Sequence, residues 1–172
     1  MKKIHAGAIG KQTGFSLVEL LLAMALISVL LAGFYGLFSV SLRSWVIGNS
    51  QTEVQQVARQ AVDLMTREIQ YSKKEQAVIT NSNSQLTIQT GQYGTLQTIS
   101  YYLDATGSPK TVIRADATGT RAISGASSVN VSVEELVFSS MGNGTVGIRL
   151  TVVDLARPGN RVQIDTAVTA LN

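Results

Sequence analysis

The hydrophobic pattern changes character along the chain, and its longest feature comes first. Residues 20–42 carry no charge and read LLLAMALISVLLAGFYGLFSVSL. A helix of this length rises about 34 Å at ~1.5 Å per residue, which is enough to cross a hydrocarbon core of about 30 Å. The pattern predicts a transmembrane helix from Leu20 to Leu42.

After this run the apolar positions adopt a helical period. Five apolar residues recur at steps of three and four and so share one helix face: Val54, Ala58, Ala61, Met65 and Ile69. We place the neighbouring charged residues on other faces: Arg59, Asp63, Arg67 and Glu68. No proline interrupts residues 15–74, which predicts one long helix whose second half is amphipathic.

Short alternating runs rich in Val, Ile, Thr and Tyr follow, separated by turn residues such as MGNG. We predict eight strands, at residues 77–80, 85–90, 98–103, 111–115, 129–133, 136–139, 146–155 and 162–171. Strands this closely spaced favour antiparallel pairing. The prediction is an α+β fold, ladle-shaped, with the long helix packed on a C-terminal antiparallel β-sheet domain.

The same pattern gives the domain organisation. We expect a leader at residues 1–14, a transmembrane helix at 15–42, the amphipathic half of the helix at 43–74, and the β domain at 75–172. Lysines precede the uncharged run, whereas Arg43 and Trp45 follow it. Because basic residues favour the cytoplasmic side and Trp favours a membrane interface, we expect a cytoplasmic N-terminus and an external C-terminal domain.

A secretory signal peptide is an alternative interpretation of the N-terminus. Ala23, Met24 and Ala25 match the small-residue pattern of a cleavage site. The apolar region of such a peptide is roughly 7–15 residues long and ends at the cut, however, whereas this run continues to Leu42. The length of the run therefore disfavours a signal peptide.

Charge and composition narrow the functional classes. The chain has 14 basic and 11 acidic residues, no cysteine, and His5 as its single histidine. Lys2, Lys3 and Lys11 precede Gly14, so a chain cut there is neutral and offers no basic stripe for nucleic acid. The counts exclude disulfides and thiol chemistry, and no G-x-S-x-G motif occurs. We predict no enzyme activity, no catalytic residue, no metal site and no cofactor; an exported enzyme on a single-helix anchor is the disfavoured alternative.

The tetrapeptide DATG occurs twice, at residues 104–107 and 116–119. Asp in the first position and Gly in the fourth is the preferred composition of a type I turn. Loop carboxylates can also bind calcium, although no third or fourth acidic ligand lies nearby in the sequence. We predict two turns, with calcium binding as the alternative.

Glu19 stands directly before the uncharged run. A charge at the centre of a bilayer costs roughly 2.5–3.5 kcal/mol on insertion scales, so a carboxylate in such a segment usually has a partner. A plain single-span anchor would leave both Glu19 and the abrupt boundary between Gly14 and Phe15 unexplained. The sequence therefore predicts a partner for Glu19.

The stretch KQTGFSLVELLLAM, residues 11–24, resembles the class III signal of type IV pilins and type II secretion pseudopilins. In that family a membrane aspartyl peptidase cuts after the glycine on the cytoplasmic side and methylates the new N-terminus. The resemblance implies cleavage after Gly14 and methylation of Phe15, and it makes Glu19 the fifth residue of the mature chain. It also implies that Glu19 pairs with the α-amino group of a neighbouring subunit, since a buried ion pair requires both members to be desolvated together.

One position departs from the family pattern. Many major pilins have a proline where this chain has Gly36, near which the helix loosens in assembled filaments. Gly33 and Gly36 each weaken a helix by about 1 kcal/mol relative to alanine without removing a hydrogen bond. Helix loosening and close helix packing in the membrane both stay open here.

Four downstream tracts are similar to W-type minor pilins and J-type minor pseudopilins: residues 58–72, 98–104, 147–155 and 166–172. The resemblance implies a minor subunit that assembles through its N-terminal helix into a type IV pilus or secretion pseudopilus, in initiation or at the tip. Its implied partners are the prepilin peptidase and methylase, other pilin or pseudopilin subunits, the inner-membrane assembly platform and membrane lipid. A competence pseudopilin for DNA uptake and a plain anchored extracytoplasmic domain are the alternatives.

Overall fold

The computed structural model describes residues 14–91, 94–124 and 130–171. Its first element is α1, Leu17–Gln70, a single helix of 54 residues. The prediction of one long helix is confirmed, but its predicted bounds, residues 15–74, extend past both ends of α1. The predicted leader lies outside the described residues except for Gly14.

Backbone hydrogen bonds just after Gln70 end α1 and lead the chain toward a strand. The backbone N–H of Ser72 donates to the Ile69 carbonyl at 3.0 Å, and that of Lys73 donates to the Gln89 carbonyl at 3.0 Å. Ser72 also forms an isolated antiparallel bridge with Thr90. Because the chain pairs with a strand here, it leaves the helix before Lys74, and a short 3₁₀ helix follows at Lys74–Gln76.

The chain divides into two compact units between Val46 and Ile47. The first unit contains the uncharged part of α1, whose large apolar side chains are exposed from Leu17 to Leu42. Among the described residues, α1 is the one helix long and apolar enough to cross a membrane, and its most apolar stretch has a mean hydropathy of 2.5.

The second unit contains two antiparallel sheets. A five-stranded sheet runs in chain order, each strand pairing with the next: β1 Val78–Thr80, β2 Gln85–Thr90, β3 Gln97–Asp104, β4 Thr111–Asp116 and β5 Gly119–Ala122. A three-stranded sheet follows, also in chain order: β6 Val131–Gly142, β7 Thr145–Asp154 and β8 Arg157–Thr169. The α+β class and the antiparallel pairing are confirmed.

Two strand predictions were wrong. Residues 129–133 and 136–139 were predicted as separate strands, but β6 is continuous and shifts register between Val133 and Glu135. A bulge absorbs the extra residue, so the consecutive glutamates Glu134 and Glu135 do not break the strand. Residue 129 lies outside the described part of the chain. The short strand β5, GTRA, was missed because it has no apolar alternation.

The predicted helical stripe is confirmed as the helix side of the core. Its five members are fully buried against apolar side chains of both sheets, the largest of which are Tyr101 and Phe138. Fully burying an aliphatic side chain contributes roughly 1.5–3 kcal/mol, so the stripe is the main attachment of α1 in this unit. Glu68 was placed on another face, and that prediction was wrong, because Glu68 is completely buried.

A polar cluster joins the first turns of α1 in this unit to the β7–β8 hairpin. Ser50 donates its hydroxyl to Asp154, and Asn160 donates from Nδ2 to the Ser50 Oγ at 3.1 Å. The Asp154 carboxylate also accepts the backbone N–H of Ala156 at 2.8 Å.

The predicted MGNG turn is confirmed as the hairpin between β6 and β7. Asn143 and Gly144 both have positive φ, at 51° and 73°, which is the conformation that two-residue hairpins require and that Asn-Gly favours. A Cβ on Gly144 would lie 2.8 Å from the Lys74 Cγ. Glycine is therefore required at residue 144 for both its backbone angle and its close contact.

Candidate functional site

Gly14 and Phe15 precede the first turn of α1. Gly14, Phe15 and Ser16 are not helical, and the first helical hydrogen bond runs from the Leu20 N–H to the Ser16 carbonyl at 3.1 Å. Phe15 is 85% exposed, and a Cβ on Gly14 would meet no atom of the described residues within 4 Å. Packing within the described part of the chain therefore does not require glycine at residue 14.

Glu19 lies in the first turn of α1 and is exposed. No described side chain makes a hydrogen bond or an ion pair with it. A carboxylate in the first turn interacts favourably with the helix dipole, typically by about 0.3–1 kcal/mol. That gain is smaller than the roughly 2.5–3.5 kcal/mol cost of a charge at a bilayer centre, so the dipole does not replace a partner.

The uncharged run Leu20 to Leu42 forms one exposed helical surface. The rings of Phe34 and Phe38 stack with centroids 6.3 Å apart. The helix is continuous through Gly33 and Gly36, and a Cβ at either position would meet no other atom. The structure thus places Gly14, Phe15, Glu19 and the run in sequence along one segment.

The second unit contains a buried ionic cluster that the sequence prediction missed. Arg114 on β4 donates from Nε to both carboxylate oxygens of Glu68, each at 3.1 Å. The Tyr101 hydroxyl on β3 donates to the same carboxylate, and Arg114 donates from Nη1 to Asp116. The cluster ties α1 to two neighbouring strands of the five-stranded sheet.

Burial and hydrogen bonding shift the pKa of three groups in this cluster, Tyr101, Arg114 and Asp116. Burial raises the pKa of Tyr101, and the hydrogen bond to the Glu68 carboxylate adds to the increase. Burial alone would lower the pKa of Arg114, but its hydrogen bonds to Glu68 and Asp116 outweigh burial and raise it. Thr118 and then Arg114 hold the pKa of Asp116 well below its usual range. Tyr101 therefore stays neutral and Arg114 stays charged, and both donate hydrogen bonds to the Glu68 carboxylate.

A polar cleft of about 340 Å³ opens beside this cluster. Its charged lining residues are Glu68, Asp116, Arg114 and Arg121, two of each sign. The wall therefore favours neither an anion nor a cation. No group of three or more potential metal-ligating side chains occurs within the described ranges.

A signal for Glu68 was present in the sequence. The stripe residues Ala61 and Met65 lie seven and three positions before Glu68, which is the spacing that places a residue on the same helix face. Its charge led us to place it outside. A buried carboxylate requires a cation, and Arg114 on a predicted strand was the available partner.

Both DATG tetrapeptides form turns in which the aspartate caps the following backbone. Asp104 accepts from the N–H and the hydroxyl of Thr106 at 3.0 and 2.6 Å. Asp116 makes the same pair of bonds with Thr118, and it begins the tight turn from β4 to β5. The turn prediction is confirmed, and each carboxylate has local N–H and O–H donors.

Comparison with known proteins addresses the N-terminal segment. Residues 9–35 match the family model described as the prokaryotic N-terminal methylation motif. The match covers the Gly14–Phe15 boundary, Glu19 and the first part of the uncharged run. Searches of curated proteins and of solved structures gave no match. The N-terminal segment therefore carries the class III prepilin signal of type IV pilins and pseudopilins, and this signal with the long apolar helix fits a pilin or pseudopilin subunit.

Proposed function

We propose that this protein is a minor pilin or pseudopilin subunit that is cut after Gly14 and N-methylated at Phe15. The observation that carries the proposal is the methylation motif at residues 9–35, whose glycine directly precedes an exposed, non-helical Phe15 and then an uncharged helix. Cleavage there leaves the apolar helix attached to the mature chain, as a filament subunit needs.

The open backbone at Gly14 supports recognition by a peptidase. A side chain at residue 14 would meet no atom of the described residues, and a glycine allows an enzyme to approach the peptide bond closely. The partners in this step are the prepilin peptidase and methylase in the inner membrane. The uncharged helix lies in lipid before and after the cut, with its N-terminus cytoplasmic and residues after 43 outside.

Glu19 supports the assembly step. It has no partner within the described chain, and its exposed position after the cleavage site leaves it available to the α-amino group of Phe15 in a neighbouring subunit. The subunit then joins other pilins or pseudopilins on the inner-membrane assembly platform. We place it in initiation or at the tip of the filament, as a structural component and not as an enzyme.

Peptidase dependence tests the processing step. The full chain is expressed in cells with and without a prepilin peptidase, and its size is followed on gels. The wild-type chain should be shortened only when the peptidase is present, whereas Gly14→Leu should resist cleavage because a bulky side chain crowds the scissile bond. Gly10→Leu is the matched control in the same leader and should still be cut. Equal processing of Gly14→Leu and the wild type would contradict the assigned site.

Glu19 variants test assembly apart from processing. Glu19→Ala and Glu19→Gln should both be inserted and cut, because the residue lies beyond the scissile bond, and both should be recruited poorly into filaments. Glu19→Gln isolates the charge because it keeps the size and hydrogen-bonding capacity of the side chain. The control is Glu53→Gln, an exposed glutamate on the same helix outside the uncharged run. Wild-type filament numbers in both Glu19 variants would contradict the pairing role.

A further inference from the structure

The two sheets treat their edge strands differently. The edges of the five-stranded sheet are short, with three residues in β1 and four in β5. The three-stranded sheet ends in β6, of 12 residues, and β8, of 13 residues. Long edge strands present rows of unpaired backbone groups that can pair with another chain, so natural proteins usually shield them.

The outer edge of β6 is shielded within this chain. The Phe138 N–H donates to the Asn83 carbonyl at 2.7 Å, and the Val133 N–H donates to the Lys110 carbonyl at 2.9 Å. The outer edge of β8 has no comparable protection among the described residues. The backbone bonds outside the ladders reach Ala170 and Leu171 beyond its end, but none reaches the strand itself.

The side chains of β8 also leave the edge accessible. Its outward face carries Arg161, Gln163, Asp165, Ala167 and Thr169, which are exposed, and no charged side chain points inward from the centre of the strand. Pro158 lies at the start of β8, where a missing N–H does not interrupt the central ladder. The register of β8 against β7 shifts between Arg157 and Arg161, so the regular part of the strand available for pairing along this edge is Arg161–Thr169.

The sequence of β8 is complementary to itself in one antiparallel register. The ladder between β7 and β8 is in continuous register from Arg161 to Thr169. Within this part, a twofold axis at Gln163 pairs residues 161–165 of one copy with the same residues of a second copy. The same register places Arg161 opposite Asp165 of the other copy, on the exposed face. A shift of two residues in either direction loses this opposition.

The charges next to β8 extend the same pattern. Arg161 already pairs with Glu134 at 2.9 Å, and Asp165 pairs with Arg149 at 2.7 Å. In the self-paired register, charged side chains therefore line up across the joined sheets. Glu134 and Arg161 of one copy are followed by Asp165 and Arg149 of the second copy. The signs alternate along the row, so no residue gives up its present partner to gain a new one.

We propose that β8 is a strand-addition site for a second copy of this chain, paired antiparallel about Gln163. The two three-stranded sheets join edge to edge, and main-chain hydrogen bonds supply the contact while the Arg161–Asp165 opposition sets the register. This inference does not require the filament role, because the pairing uses the second unit alone.

Cysteine cross-linking tests the register directly, because the natural chain contains no cysteine. The full-length Gln163→Cys variant is produced in bacterial membranes, oxidised, and examined on non-reducing gels. Residues that face each other across antiparallel strands have Cα atoms about 4.5–5.5 Å apart, which is within disulfide range. We expect a covalent dimer of the variant.

Three further cysteines make the test specific. Ala167→Cys lies on the same strand and face, but residue 167 of one copy is about 27 Å from residue 167 of the other at ~3.3–3.4 Å per residue, so it should not self-link. Arg161→Cys and Asp165→Cys chains with different tags, when expressed together, should link to each other, because these positions are opposite. The second Arg161–Asp165 opposition of that pair stays intact.

Each alternative outcome overturns the proposal. Self-linking of Ala167→Cys as efficient as that of Gln163→Cys would contradict the antiparallel register. Capture of a different protein by Gln163→Cys, without self-linking, would assign the edge to another partner, and the absence of any link would leave no pairing at this edge.

A charge variant checks what centres the pair. Asp165→Asn in the Gln163→Cys background removes the opposition to Arg161, and it should lower the dimer yield about two- to five-fold, as expected for loss of exposed ion pairs. An unchanged yield would overturn the charge register.

Discussion

The two compact units of this chain use apolar side chains in opposite ways. In the first unit the side chains between Leu17 and Leu42 are exposed, whereas in the second unit the helix stripe and the inward faces of both sheets are buried. The exposed run and the buried stripe belong to the same helix, α1. The second unit is stabilised by its own core, and the first needs an apolar environment supplied from outside, as lipid or neighbouring subunits would provide.

The two carboxylates of α1 show the same contrast. Glu68 has its cation within the fold, since Arg114 contacts both of its oxygens. Glu19 has no such partner among the described residues. In the proposed function Glu19 pairs with another subunit, whereas Glu68 pairs within its own chain.

The largest expected effect is on the core of the second unit. Met65→Asp should lower the free energy of unfolding by several kcal/mol, because it removes apolar burial and leaves an unpaired carboxylate in the interior. Met65→Leu is the matched control, and a volume-conserving change of this kind should cost less than about 1.5 kcal/mol. Circular dichroism of the full chain in detergent, during urea unfolding, measures both. Similar midpoints for Met65→Asp and wild type would contradict the position of the stripe.

The next largest effect concerns the buried ion pair. Glu68→Ala should cost about 3–5 kcal/mol, because Arg114 would stay buried without its principal anion. Glu53→Ala, at an exposed position of the same helix, should change stability by less than about 0.5 kcal/mol. The same urea titration compares them. If the two variants unfold at equal urea concentrations, Glu68 does not anchor α1 to the sheet.

A smaller effect is expected from acid. The Ser50 hydroxyl, followed by the N–H groups of Ala156 and Arg157, holds the pKa of Asp154 below its ordinary value of 3.8. A carboxyl with a lowered pKa in the folded state stabilises the fold above the unfolded pKa, and this contribution is lost as the pH falls through the folded pKa. Stability should therefore decline below about pH 4, with a shallower slope in Asp154→Asn. Thermal unfolding of both proteins between about pH 6 and about pH 2 provides the measurement. Identical slopes of stability against pH would exclude a contribution from Asp154.

The smallest effect sharpens the contrast between the units. Met24→Ala removes an exposed apolar side chain in the uncharged run, so it should leave the unfolding of the second unit within about 0.5 kcal/mol of wild type. Met65→Ala, the same change at a buried position, should cost about 2–5 kcal/mol. Equal losses in a detergent unfolding experiment would mean that the two helix segments are not distinguished by burial.

Some parts of this structure could be predicted from local pattern. The uncharged run, the helical stripe and most strands depend on periodicity within a few residues, and they were found. The register shift after Val133, the short β5 and the end of α1 at Gln70 depend on pairing with distant segments, so no local pattern specifies them. Glu68 was misplaced because its burial depends on Arg114, 46 positions away.

The candidate site divides in the same way. Gly14, Phe15 and Glu19 could be proposed from sequence because they lie in one continuous stretch, which the motif match at residues 9–35 covers. Their roles in cleavage, methylation and pairing stay predictions, since each role involves another molecule. The ionic cluster and the β8 edge required the folded chain, because each brings together residues that are distant in sequence.

The N-terminal residue of the mature protein tests the central claim most directly. The full chain is isolated from membranes of cells that contain a prepilin peptidase, and its N-terminal peptide is analysed by mass spectrometry. The proposed function predicts a peptide that begins at Phe15 and carries one methyl group on its α-amino nitrogen. A mature chain that begins at Met1, or directly after Ala25, would contradict it.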